Sequence, residues 1–250
     1  MKSLNVELSD TLHSVLDSKT SSVSFEVVWE KYGKQETTPH KVTKKMIFCI
    51  IISVVIISGG GLAAASSLLS SYTQNLRSAA HANGIFEYIN GTPVSNQEFD
   101  SFKAGQELVS ELNHQSINEN QIIQMFNRNQ VLYQQAQKDG LIVSDQQAKN
   151  FALKVQQTLE HPSKTVSQSN ASQIIQILKA EEKGLGVSDQ EYWTHIAPTF
   201  YKVDLSIGKL KQEFYTQYQT EHPGATYLQI NNAWNRYGKM LLEKASIRIS

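Results

Sequence analysis

The chain has 250 residues and no net charge, with 23 basic and 23 acidic side chains. A neutral chain exerts no long-range field that would draw it to nucleic acid, and a lone cysteine, Cys49, excludes a disulfide framework. The histidines are scattered, none in an HxxxH or HExxH pair, so neither a metal nor another cofactor is expected.

Residues 1–45 are rich in lysine and acid and contain no arginine. Within them VSFEVVWEKYGK (Val23 to Lys34) sets Phe25, Val28, Trp29 and Tyr32 at helical spacing. It reads either as one nascent helix in a flexible leader or as an element that docks a cytoplasmic partner or the membrane surface.

No charge occurs between Lys45 and Arg77. The run over 46–70 is long enough to span a bilayer, which takes about 20 mostly apolar residues. Lys31, Lys34, Lys41, Lys44 and Lys45 precede it, and Arg77 alone follows closely. That asymmetry orients 1–45 towards the cytoplasm and the remainder outside. The rival reading is a cleaved signal, with Met46 to Ser58 as apolar core and LAAAS as cleavage site; a 45-residue leader is long for that, and a retained anchor is the expectation.

Residues 71–84 read as a polar linker. IFEYING then gives a short strand and a turn at Asn90-Gly91. A helix from Ser95 carries Phe99, Phe102 and Leu108. Asn118 caps a second, with Ile122, Met125, Phe126, Leu132, Tyr133 and Ala136 on one side and Gly140 at its end. A third bears Ala148, Phe151, Ala152, Val155 and Leu159 and stops before Pro162. A fourth, with Ala171, Ile174, Ile175 and Leu178, ends at Gly184. A fifth starts at Ser188 with Tyr192, Trp193 and Ile196; Pro198 interrupts it, and a long helix restarts at Thr199 and runs to about Tyr218, with Gly208 inside it. The last shows Tyr227, Ile230, Trp234, Tyr237 and Leu241, and the sequence closes on SIRIS, an alternating strand. An isolated strand leaves its backbone unpaired, so IFEYI is expected to pair with SIRIS and bring the two ends of the domain together.

One phrase returns three times: VSNQE at Val94, VSDQQ at Val143 and VSDQE at Val187. Each serine suits a helix N-cap, and Glu98, Gln147 and Glu191 three residues on complete a capping box. Val94 and Val187 are placed to staple onto Phe99 and Tyr192. Convergent caps and a true internal repeat explain the recurrence equally well. GGGL lacks the lysine of a phosphate loop, no GxSxG elbow occurs, and Glu181-Glu182 reads as a polar helix end rather than an acid–base pair.

NGTPVSNQEFDSF followed by NRNQVLYQQAQKDGLIVSDQQAKNF resembles the N-terminal chaperone domain of the SurA/PrsA-type extracytoplasmic folding factors. The likeness covers roughly 85–152 well and the rest loosely; KGLGVSDQEYW is similar to an element of membrane-anchored Gram-positive members. It implies a mainly helical cradle over 85–250 that holds unfolded or secreted polypeptides outside the membrane without ATP. Relatives commonly insert a parvulin isomerase domain of about a hundred residues. There is no room for it here, so no enzyme activity and no catalytic residue are carried over, His195-Ile196 included. Such a holdase needs adaptable apolar surface; the candidates for client contact are Met125, Phe126, Tyr133, Phe151, Trp193, Phe200, Tyr201 and Trp234, for each of which core packing is the other reading. The alternative function is a single-pass sensor or regulator whose outer helices bind one specific partner.

Overall fold

The computed structural model describes residues 65–161 and 168–249. The expected cytoplasmic segment, the expected span before residue 65 and most of the loop after His161 lie outside the described residues. In chain order the elements are α1 (Ala65–Ala80), β1 (Ile85–Ile89), β2 (Thr92–Ser95), α2 (Asn96–Leu112), α3 (Glu119–Lys138), α4 (Asp145–Glu160) and α5 (Gln168–Leu185). A single turn, α6 (Asp189–Glu191), passes into a π-helical turn (Tyr192–Ile196) and then α7 (Ala197–Glu221); α8 (Tyr227–Lys244) and β3 (Ile247–Ile249) follow. The fold is mainly helical, as expected. Among the described residues no helix is long and apolar enough to cross a membrane.

The caps act as their residues dictate. Ser95, Asn118, Ser144 and Thr226 each accept from the backbone N–H three residues on, and Glu98, Gln121, Gln147 and Gln229 return a bond to the cap backbone. Ser188 accepts from the Glu191 N–H, so all three copies of the phrase open a helix. Their joints are built differently. The first follows a strand, the second follows Gly140 at φ +72°, and the third follows Gly186 at φ +71°.

Three expectations are corrected, and one strand is added. The stretch read as a linker is helical as far as Ala80, because Tyr72, Leu76 and Ala79 recur at helical spacing and bury against α2 and α5. TPVS is a strand: Asn90 and Gly91 both take positive φ, the requirement of a two-residue I′ hairpin, and this folds β2 back onto β1. Gly184 does not end α5. It is a buried, right-handed residue one position before the helix's last residue, Leu185, and Gly186 supplies the left-handed residue. Pro198 does not interrupt its helix either; the π turn runs straight into α7, the Ala197 N–H donating to the Tyr192 carbonyl, and Pro198 lies in the first turn of α7.

The sheet order is β2-β1-β3, antiparallel throughout. Glu87 stands opposite Ile249, Tyr88 opposite Arg248 and Ile89 opposite Ile247, which is the expected pairing of IFEYI with SIRIS. One apolar cluster, around Tyr72, Leu76, Phe151, Val155, Ile177 and Trp193, joins α1, α2, α4, α5 and the π turn. A second, around Ile89, Val94, Phe99, Ile122 and Phe126, lies beneath the sheet. A third, around Leu132, Leu210, Tyr215, Ile230 and Trp234, joins α3, α7 and α8. The long α7 thus contributes to the first cluster at Ala197 and to the third at Leu210 and Tyr215.

Candidate functional site

The eight aromatic and methionine positions separate by exposure. Phe126, Phe151, Trp193 and Trp234 are core side chains and offer no ring to a ligand in this conformation. Tyr133 and Tyr201 are half-buried. Met125 on α3 and Phe200 on α7 stand out, 42% and 48% exposed. Helical spacing marks both kinds of position alike, which is why periodicity could not sort them.

More apolar surface is gathered where the sheet closes. Ile85, Ile247 and Ile249 are all exposed, Ile249 to 82%. Ile85 lies two positions before Glu87 on β1, at the same end of the sheet as Ile249. The central strand is fixed. Glu87 is 2% exposed and Ile89 is fully buried. With its amide turned to give nitrogen to Glu87, Asn127 of α3 donates to that carboxylate and, at 3.3 Å, to the Ile123 carbonyl. Burial pushes the Glu87 carboxyl up, and the bond from Asn127 works against that. On the other face the Arg248 guanidinium lies 4.7 Å from the centre of the Tyr88 ring. Asn90 ties the corner: its N–H donates to the Ser246 carbonyl at 2.8 Å, and its side-chain oxygen accepts from the Ser246 N–H at 3.0 Å.

Two further groupings stand apart from the sheet. Phe214 of α7 stacks on Tyr218 and meets Trp234 and Tyr237 of α8 with ring centroids 5.5 and 5.1 Å away, which locks the α7–α8 hairpin. At the π turn the Tyr192 hydroxyl donates to Glu181 of α5 at 3.1 Å. Burial pushes the Glu181 carboxyl up to about 7, the Tyr192 bond opposing it. Tyr72, Tyr192 and Tyr201 are raised too, by burial first and then by neighbouring negative charge. Glu181 was legible only as half of an acidic pair on a polar helix end. It sits where α5 meets α1 and the π turn, beside Tyr72 and Tyr192. The π turn was not foreseen; Tyr192 and Trp193, which open it, are core side chains packed edge to face, and Pro198 follows it.

Among the described residues no three His, Cys, Asp or Glu side chains converge on a point that would hold a metal ion. No family model, curated protein or solved structure matches the chain.

Proposed function

We propose that the chain is a membrane-anchored, chaperone-like protein that binds unfolded or partly folded polypeptides outside the membrane without ATP. The observation that carries this reading is the exposure of three isoleucines, Ile85 on β1 and Ile247 and Ile249 on β3, the strand at the edge of the sheet. Exposed apolar surface beside unpaired backbone offers two non-specific contacts that any extended chain can make, burial and main-chain hydrogen bonds. Met125 on α3 and Phe200 on α7 add exposed apolar side chains on the helices. The test is aggregation of two unrelated denatured proteins, citrate synthase and reduced insulin, in the presence of the full chain in lipid nanodiscs. Near-stoichiometric suppression of both is the expected result; no suppression by a chain with intact helical circular dichroism removes the reading.

The second reading, a single-pass sensor or regulator, is favoured by α1. Residues 65–70 belong to the expected span and also start the helix whose Tyr72, Leu76 and Ala79 enter the core. A helix continuous with both would transmit displacement, whereas a tether for a chaperone needs no such stiffness. Deleting residues 1–45 separates the two. A chaperone keeps its aggregation suppression without them, and a regulator loses its output.

A further inference from the structure

We infer that β3 is an exchangeable strand: it occupies the edge of β1 as a placeholder, and an extended segment of a client polypeptide takes its place there by antiparallel pairing. The inference rests on the chaperone reading and specifies its mode of binding. Its first ground is the unequal anchoring of the two strands. β1 is held from both sides, by β2 along one edge and by Glu87 and Ile89 set into the core. β3 is three residues long, every one of them exposed, and pairs only with β1 among the described residues. Its retention depends on backbone pairing, the Arg248–Tyr88 contact and the Asn90–Ser246 bonds. Elements with few buried contacts open locally far more readily than the whole domain unfolds.

The second ground is what β3 says about its replacement. The strand sets a residue with an apolar branched side chain opposite Glu87, a cation over the Tyr88 ring, and another branched apolar residue opposite Ile89. The occupant is therefore an extended segment that alternates apolar, Lys or Arg, apolar. Main-chain bonds along β1 supply the affinity, and the Tyr88 ring selects the central cation. Because β3 competes from within the same chain, apparent affinity for a client segment falls by the fraction of molecules with β1 open.

The test uses the full chain with Cys49→Ser, Tyr88→Cys and Arg248→Cys. Positions 88 and 248 are directly opposed. The Asn90–Ser246 bond two residues away marks them as a hydrogen-bonded pair, with Cα atoms about 5.5 Å apart, within reach of a disulfide. The probe is a fluorescein-labelled peptide of sequence ASIRIS, followed by anisotropy. Oxidation should weaken peptide binding by at least about tenfold, and reduction should restore it. The crosslinked chain lacks the Tyr88 ring and reads strand opening through main-chain pairing alone; a chain truncated after Ser246 that keeps Tyr88 should bind ASIRIS more tightly than the unsubstituted full chain does, and should bind ASIEIS more weakly than ASIRIS. Equal binding by the oxidised and reduced forms overturns the inference, as does no binding by a truncated chain with intact circular dichroism. A dimer whose formation the crosslink blocks makes the occupant a second copy and overturns the client assignment. Aggregation suppression in the same preparations separates the two readings. Suppression by a chain that never takes up the peptide removes strand exchange alone; peptide binding without suppression in any form removes the chaperone reading alone.

Discussion

A methyl group added at position 184 has no room. A Cβ there would sit 2.7 Å from the Leu76 Cβ and 2.9 Å from the Thr73 carbonyl oxygen, both part of α1 or one bond from its backbone. The same approach lets the Thr73 hydroxyl reach the Ala180 carbonyl at 3.2 Å while it also bonds Leu69 one turn back. Alanine is the better helix former by about 1 kcal/mol, so local propensity alone favours Gly184→Ala. The overlap with backbone should outweigh that gain, since overpacking of a close contact costs about 1–3 kcal/mol. Urea denaturation should therefore show the variant destabilised; a stabilised variant would mean that α1 and α5 separate without penalty. Gly184 also shows how a residue misleads when read alone. A glycine after a charged helix end suggests a stop, and only the position of α1 reveals that it permits close packing.

At the level of elements, the joint between α3 and α4 is clamped by α7. The Val143 N–H has no helical partner, and it donates to the Ser206 Oγ at 3.0 Å. That hydroxyl is fully buried and itself donates to the Lys202 carbonyl at 2.6 Å. Lys202 pairs with Asp145 at 2.7 Å on the exposed rim, a contact of small worth. Ser206→Ala should cost about 1–3 kcal/mol, because it leaves the Val143 N–H buried without an acceptor. Lys202→Ala should cost well under about 1 kcal/mol. Thermal denaturation of the two variants checks the order, and a larger loss for Lys202→Ala would contradict it. The start of α4 was legible, since Ser144 and Gln147 lie in sequence order and need no distant partner. So were the buried faces of α4 and α8. The clamp was not, because Ser206 is a small polar residue mid-helix whose acceptor role exists only once α7 crosses the joint. β2 was hidden for a related reason: four residues with a proline carry little strand signal until the hairpin turn and β1 supply their pairing.

For the whole molecule, the buried carboxylates fix the sign of the pH dependence. Glu181 has a folded value of about 7, above the ordinary carboxylate value, and Glu87 and Glu182 are raised as well, each chiefly by burial. A raised folded value means that the native state binds more protons than the unfolded chain between the two values. Stability therefore falls as pH rises across that window, and below it these groups cost nothing. For Glu181 the window runs from the ordinary carboxylate range up to about 7. Asp204, raised to about 6, has the same sign, but its side chain reaches water, so its share is discounted. The melting temperature should accordingly decline between about pH 5 and pH 8, where folding usually tolerates pH well. Glu181→Gln should flatten most of that decline while keeping an acceptor for the Tyr192 hydroxyl. Glu87→Gln should flatten less, since Asn127 already stabilises its ionised form. Calorimetric scans of the three proteins across this range decide it. A melting temperature that rises with pH, or a Glu181→Gln slope equal to that of the unsubstituted chain, would show that the carboxyl among Tyr72, Tyr192 and Tyr201 titrates as an ordinary surface acid. That would also loosen the case for α1 as an integral helix of the domain, because the burial that raises Glu181 comes from α1, α5 and the π turn packing as one body.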